Sequence, residues 1–140
     1  MGPRELLIVG ARALERAGAK YFVSGSMGAM IYGEFRFTND VDFVADVQYG
    51  HMNALLETFK EPEYYLSREA IVHAMEYESQ FNAIHTDSAL KIDFMIPEDS
   101  LYNRERFARA RAVEIMPGEK VMASAPEDVI LMKLKYFQMG

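Results

Sequence analysis

Three aspartates have the type and spacing that metal-assisted phosphoryl transfer requires. Asp40 and Asp42 stand two residues apart in NDVDFVAD, and Asp93 interrupts the apolar alternation of KIDFMI. Side chains two residues apart in a β-strand share one face and are separated by about 6–7 Å. Two carboxylates at that spacing can converge on a pair of divalent cations ~4 Å apart, which can stabilise both the attacking and the leaving oxygen.

The residues around these aspartates predict that all three lie on one polar sheet face. Val41 and Phe43 occupy the other face of the first strand, and Ile92, Phe94 and Ile96 the other face of the second. If the strands are neighbours, the carboxylates repel one another, and a divalent cation is the simplest compensation. The alternative is a solvated face of an antiparallel sheet, since aspartate is common at strand ends.

A glycine-serine pair ahead of these strands could hold a phosphate. Gly25 and Ser26 follow the β-prone run YFV, and MGAMIYGEF after them predicts a short helix. The start of a helix presents unpaired N–H groups and the positive end of its dipole. Gly25 would let a phosphate approach the backbone, and the Ser26 hydroxyl could donate to it. The alternative is that Ser26, or Ser24, only caps the helix.

The periodicity of the remaining chain predicts helices and strands around one sheet. Helices are expected at 4–17, 51–59 and 100–110 and after Pro126, two strands within 70–86, one at 89–97, and a hairpin at 112–123. This order favours an α/β (α+β) domain in which helices flank a mixed sheet. We expect one domain over 1–140, and the amphipathic final segment leads us to expect a natural protein that continues further.

Composition narrows the class of partner. Half of the residues are apolar, and 21 acidic against 15 basic residues give a net charge of −6. No basic stretch is long enough to track a long nucleic-acid duplex. The absence of cysteine excludes disulfides and thiolate metal sites. Without a signal-peptide pattern or an apolar run of about 18 residues, we expect a cytoplasmic protein with no membrane partner.

The histidines add little to this site. His51, His73 and His85 do not stand at the spacing of metal ligands, and each is interpreted as a surface residue. His85 precedes the Asp93 strand, so it is the one candidate among them to face the aspartates.

One long stretch resembles a known family. The sequence FVSGSMGAMIYGEFRFTNDVDFV is similar to the Gly-Ser … Arg-x-Thr-x-Asp-[Ile/Val]-Asp signature of small bacterial and archaeal members of the polymerase β-like nucleotidyltransferase superfamily. PEDVILMKLKYF resembles a late helix of its abortive-infection, toxin-like branch. The resemblance follows element order over residues 5–97, is specific over 22–44 and 90–97, and implies the polymerase β palm-like fold.

The resemblance also implies roles for the residues already singled out. Gly25 and Ser26 match the loop that holds a nucleoside triphosphate such as ATP. Asp40 and Asp42 match the ligands of two Mg²⁺ (or Mn²⁺) ions. Asp93 matches the third carboxylate of the metal site, which activates the attacking hydroxyl.

Three further residues match the family pattern outside the carboxylates. Arg36 could neutralise a phosphate or pair with Glu34, and Thr38 could order the loop that leads into the aspartate pair. Lys133 matches a late lysine that could reach a phosphate, although a lysine on an amphipathic helix is more often solvated.

The resemblance implies transfer of a nucleoside monophosphate from a nucleoside triphosphate to a hydroxyl acceptor on a protein, a transfer RNA or a small molecule. A toxin-like role would add an antitoxin partner, and a homo-oligomer is also compatible. The alternatives are a catalytically inactive module that binds a nucleotide or a partner, and a structural domain with a wet acidic face. The larger family members recognise the base or acceptor with an added helical domain, so specificity stays open.

Overall fold

The computed structural model describes residues 1–24, 40–125 and 128, with the backbone alone for Asp40. This part of the chain contains seven strands and four α-helices. The helices are α1 (Pro3–Ala17), α2 (Met52–Thr58), α3 (Arg68–Tyr77) and α4 (Leu101–Arg109). The strands are β1 (Lys20–Ser24), β2 (Asp40–Asp46), β3 (Tyr64–Tyr65), β4 (Gln80–His85), β5 (Lys91–Met95), β6 (Arg111–Met116) and β7 (Glu119–Ala123).

All seven strands belong to one mixed sheet, in the order β3-β4-β5-β2-β1-β7-β6. Two neighbouring pairs run parallel, β2 with β5 and β1 with β7, and the other pairs are antiparallel. The predicted hairpin is β6–β7, and Gly118 takes a φ of 78° in its turn. The mixed sheet flanked by helices confirms the predicted fold class.

The hydrophobic core lies on one face of this sheet, under the first helices. Leu6, Leu7 and Leu14 of α1 are at most 1% exposed, and the helix ends as predicted at Gly18, whose φ of 83° is left-handed. In the sheet, Phe94 stacks between two other phenylalanines, with ring centroids 5.8 Å from Phe43 and 4.9 Å from Phe81. Asp42 and Asp93 alternate with these apolar residues, so their side chains point to the opposite face.

Gly10 lies where α1 comes closest to the sheet. A Cβ atom at this position would lie 2.5 Å from Cε2 of Phe43. Alanine favours a helix over glycine by about 1 kcal/mol. However, the Phe43 ring is 1% exposed and is held against Phe94, so it cannot move aside without disturbing the core.

We therefore expect Gly10→Ala to lower the free energy of unfolding by about 1–3 kcal/mol, against the helix propensity. Urea denaturation followed by circular dichroism measures this change. Gly50→Ala is the control, because nothing lies within 4 Å of a Cβ there. An equal or higher urea midpoint for Gly10→Ala would contradict the proposed close approach.

The structure corrects one predicted element. The first of the two strands expected within 70–86 is the helix α3, and only the second, β4, is a strand. The Ser67 side chain accepts a hydrogen bond from the backbone N–H of Ala70 at 3.2 Å and caps the helix. Ile71 and Ala74, three residues apart, supply its buried side.

Other predicted elements fall outside the described residues, namely the short helix after Ser26, the loop that leads into the aspartate pair, and all of the helix after Pro126 except Asp128. In the ranges that are described, no helix is both long and apolar enough to cross a membrane.

Candidate functional site

Two of the predicted aspartates lie side by side on the polar face of the sheet. Strands β2 and β5 pair in parallel, with Asp42 opposite Asp93. Neighbouring strands are about 4.8 Å apart, and residues in register point to the same face. The predicted adjacency of these two strands is therefore correct. The backbone of Asp40 pairs two residues earlier, opposite Lys91.

A polar residue continues this line on each side. Asn82 of β4 lies opposite Asp93, and Ser24 of β1 lies opposite Asp42. We call Ser24, Asp42, Asp93 and Asn82 the polar row. It crosses four neighbouring strands and presents hydroxyl, carboxylate and amide groups to one face, where Ser24, Asp42 and Asp93 are half-buried and Asn82 is exposed.

The position of Asn82 in its strand is a sequence signal for this row. In QFNAIH, Phe81 and Ala83 are buried, so the alternation places Asn82 on the face of the aspartates. The sequence indicates for Ser24 only the role of a helix cap. Its position opposite Asp42 follows from the antiparallel pairing of β1 with β2, which residue types alone do not indicate.

Five of the predicted binding residues lie outside the described part of the chain: Gly25, Ser26, Arg36, Thr38 and Lys133. Strand β1 ends at Ser24, and its antiparallel pairing directs it toward the Asp40 end of β2. In sequence, Gly25 and Ser26 follow Ser24 directly.

The donor types in the polar row fit a hard divalent cation. Carboxylate and amide oxygens are the ligands that Mg²⁺ and Mn²⁺ prefer. Among residues with described side chains, no three His, Asp or Glu groups are placed to hold a metal ion. The side chain of Asp40 lies outside the described part of the structure, so the predicted trio stays a prediction.

His85 proves to be a core residue. It lies on β4 with Phe81 and Ala83, on the face opposite Asn82, and is 7% exposed. Its Nδ1 lies 2.7 Å from the hydroxyl oxygen of Ser88. The histidine is therefore neither a surface residue nor a candidate for the polar row, because a strand sends alternate side chains to opposite faces.

Helix α4 covers part of the polar face beside this row. Phe107 packs edge-on against Phe22 of β1, at a centroid distance of 5.0 Å. The guanidinium carbon of Arg106 lies 4.8 Å from the centre of the Phe22 ring and 5.4 Å from that of Tyr102. Burial lowers the pKa of Arg106, but a guanidinium remains charged at neutral pH. The charge of Arg106 is thus held between two aromatic rings.

The end of α4 is anchored by a buried carboxylate. Arg109 donates from Nε to Oδ2 of Asp128 at 3.1 Å and from Nη2 to Oδ1 at 2.8 Å, and Asp128 is 1% exposed. This bidentate pairing joins residues 19 positions apart and fixes α4 to the segment after β7.

We expect Asp128→Ala to lower the melting temperature by at least about 5 °C, because it leaves the Arg109 fork without its buried acceptor. Scanning calorimetry measures the change. Glu105→Ala is the control, since Glu105 meets the same arginine at 3.5 Å from an exposed position. Equal shifts in the two variants would show that the buried pair is not what anchors α4.

The sequence matches no protein-family model and no curated protein, but solved structures share its fold. A Thermotoga maritima protein described as a "putative nucleotidyltransferase" is 18% identical over 99% of this chain and 89% of its own, with a TM-score of 0.58. Helicobacter pylori JHP933 is 15% identical over 94% of this chain and 54% of its own, with a TM-score of 0.53.

A third structure, an H. pylori protein also described as a "putative nucleotidyltransferase", is 14% identical over 94% of this chain and 56% of its own, with a TM-score of 0.51. The chain spans about half the length of each H. pylori protein. At these identities the similarity concerns the fold. The mixed sheet with its flanking helices is a nucleotidyltransferase fold.

Proposed function

We propose that this protein is a metal-dependent nucleotidyltransferase, which transfers a nucleoside monophosphate from a nucleoside triphosphate to a hydroxyl acceptor. The observation that carries the proposal is the parallel register of Asp42 with Asp93, inside a fold shared with proteins described as nucleotidyltransferases. Like charges directly opposite each other destabilise a sheet. A sheet face that is merely exposed to solvent gives no reason for such a pair, whereas a metal site does.

The proposed ligands of two Mg²⁺ or Mn²⁺ ions are Asp40, Asp42 and Asp93. When bound, the ions would offset the repulsion among the carboxylates and neutralise charge on the triphosphate. Gly25 and Ser26 would bind the phosphates, because they follow directly after Ser24 at the end of the polar row. Arg36, Thr38 and Lys133 are proposed as further contacts to the nucleotide or its loop.

In the proposed reaction, the acceptor hydroxyl oxygen attacks the α-phosphorus in line. A bond forms between that oxygen and phosphorus, and the bond from phosphorus to the oxygen bridging to the β-phosphate breaks. Pyrophosphate leaves with the electron pair of that bond. Asp93 accepts the hydroxyl proton, since it stands in the row on the side away from Ser24.

The acceptor is proposed to be a protein, a transfer RNA or a small molecule, in the cytoplasm. The similarity of PEDVILMKLKYF to a toxin-like branch supports a toxin role with an antitoxin partner, and self-association is compatible with it. The net charge of −6 argues against a long duplex as acceptor. A nucleotide-binding module without turnover is the second candidate, and turnover itself separates the two.

We expect Mg²⁺ or Mn²⁺ to raise the melting temperature with increasing concentration, because an ion that binds only the folded state stabilises it. At a hundredfold excess over Kd the gain is about 2.7 kcal/mol, or several degrees for a domain of this size. Asp42→Asn should largely remove the shift. Asp46→Asn, on the same strand and face, should preserve it. Equal shifts in wild type and Asp42→Asn would place the metal elsewhere.

The direct test is transfer of label from α-³²P nucleoside triphosphates in Mn²⁺, with transfer RNA, protein and small hydroxyl compounds as acceptors. Label should appear on an acceptor together with one equivalent of pyrophosphate. Metal-dependent nucleotide binding without transfer to any acceptor, in the longest natural form of the protein as well, would favour the binding module.

A further inference from the structure

A pocket opens on the polar face next to the polar row. Its floor is formed by Val44, Met95 and Gln80, which stand in register across β2, β5 and β4. Each of these residues is two positions from a member of the polar row on its own strand. Val44 follows Asp42, Met95 follows Asp93, and Gln80 precedes Asn82. Two positions correspond to about 6–7 Å along a strand. The pocket has a volume of about 450 Å³, and α4 and the segment after β5 form its wall.

The pocket lies on the other side of the carboxylates from the proposed phosphate loop. Strand β1 points toward the Asp40 end of β2 where it ends at Ser24. The pocket lies at Val44, in the opposite direction along the same strand. A triphosphate bound after Ser24 and a molecule in the pocket would therefore approach Asp42 and Asp93 from opposite ends, as two reacting substrates must.

Arg106 is the cation of this pocket. It lines the wall and is 7% exposed. Asp128, which pairs with Arg109, lies near enough to favour its charge, but no described carboxylate forms an ion pair with Arg106 itself. Nη1 donates to Oδ1 of Asn103 at 3.3 Å, and Nε is buried without an acceptor in the described part of the chain. A buried donor without a partner is costly, and more so on a charged group. The Nε edge of a guanidinium is a fork that matches the two oxygens of a phosphate or carboxylate.

The side chains near this edge can make room for a ligand. Nε is closed to solvent in this structure, so an anion must displace a covering group. Two pocket residues, Met95 and Tyr102, are 49% and 38% exposed, and exposed side chains change rotamer at little cost. Glu78 and Glu98 also line the pocket, but they are exposed and solvent screens their charge.

We propose that this pocket binds the acceptor of the transfer reaction, and that Arg106 holds it through an oxyanion, a phosphate or a carboxylate. The inference rests on the proposed function. The pocket floor at Met95 lies two residues after Asp93, about 6–7 Å along the strand, so a hydroxyl on a molecule bound in the pocket can reach that carboxylate. Phe22, under the guanidinium, serves as the rigid support of the site.

Binding of the oxyanion is tested without metal or nucleotide, so that it does not depend on turnover. Inorganic phosphate and acetate are titrated into ¹⁵N-labelled protein in EDTA. Amide shifts should concentrate on 95–106 and 78–80, and the stronger of the two probes indicates a phosphate or a carboxylate acceptor. The proposal would be overturned if neither probe shifted the amides of these segments. The titration must extend to at least about 50 times the concentration at which shifts elsewhere in the protein reach their plateau.

Variants separate binding from packing. Arg106→Met keeps an apolar side chain against Phe22. It should raise the Kd of the probe that binds more tightly at least about tenfold. Arg104→Met is the matched control, since Arg104 is an exposed arginine of the same helix, paired with Asp99. If Arg106→Met fails to fold, Met95→Trp, which fills the pocket from an exposed strand position, should produce the same loss. Unchanged probe affinity in a folded Arg106→Met or Met95→Trp would show that Arg106 only packs.

Kinetics then connect the pocket to the reaction. Once an acceptor is known, Arg106→Met should raise the KM for that acceptor at least about tenfold and leave the KM for the nucleoside triphosphate unchanged. A rise in both would contradict an acceptor site. Specific probe binding at the pocket in a protein without transferase activity would uphold the anion site and overturn only the proposed function.

Discussion

Replacing Asp42 with asparagine is expected to reduce nucleotide transfer at least about a thousandfold, the cost of removing one charge from a site that stabilises a phosphoryl transition state. Asparagine keeps the shape of the side chain and its place opposite Asp93, so the strand register should survive. Asp40→Ala should give a loss of similar size. The assay is the initial rate of label transfer at saturating Mn²⁺ and nucleotide.

The strand supplies its own control for that experiment. Asp46 stands on the same strand and face, four residues after Asp42, and its carboxylate accepts a hydrogen bond from Gln48 at 2.6 Å. Asp46→Asn removes an equal charge at a distance from Asp93 and should leave the rate within about threefold of wild type. A thousandfold loss in both variants would point to net charge or folding, and no loss in Asp42→Asn would assign the activity to a contaminant.

Alternation of side chains made much of the site predictable. Apolar residues at every second position around Asp42 and Asp93 indicate which face each carboxylate takes, and that assignment holds in the structure. Alternation does not indicate which strands are neighbours. The parallel pairing of β2 with β5 crosses two helices and two strands of intervening chain, and it forms because both strands are buried on the same face by Phe43 and Phe94.

Local patterns failed where two signals compete. In REAIVHAMEY, Ile71 and Val72 favour a strand, while the Ser67 cap and the spacing of Ile71 and Ala74 favour a helix. Packing of the buried side settles the competition, and single-residue preferences do not. The prediction that His85 lies at the surface was wrong for a related reason. A histidine at a strand end is usually exposed to solvent unless a partner such as Ser88 hydrogen-bonds with its ring nitrogen.

Long-range polar pairs were beyond the sequence. The contact between Arg109 and Asp128, and the position of Arg106 over Phe22, depend on how α4 lies on the sheet. In sequence, these arginines resemble the solvated face of an ordinary amphipathic helix. Burial distinguishes Arg106, which is 7% exposed whereas Arg104 of the same helix is exposed. Arg109 is distinguished by its buried partner Asp128.

Mutation of Asp93 should reduce turnover without weakening nucleotide binding. Its neighbours in the polar row are Asp42 on one side and Asn82 on the other, so it stands one strand further than Asp42 from the proposed phosphate loop. We expect Asp93→Ala to lower kcat by about 10²–10⁴-fold, the usual contribution of a positioned general base, with the Kd for the nucleoside triphosphate changed by less than about threefold. Calorimetric titration and single-turnover rates measure the two quantities.

The comparison with Ser26→Ala and Asn82→Ala distinguishes a base from a general disturbance of the sheet. Ser26→Ala should chiefly weaken nucleotide binding, because its proposed contact is to a phosphate. Asn82→Ala removes the other neighbour of Asp93 without removing a charge, and should affect kcat less than Asp93→Ala does.

Asp93→Ala could instead weaken nucleotide binding as much as Asp42→Asn does. In that case Asp93 acts mainly as a metal ligand, and the proton must pass to another group. A pH–rate profile that keeps the acidic limb of the wild type in Asp93→Ala would lead to the same conclusion, because that limb reports the titration of the base.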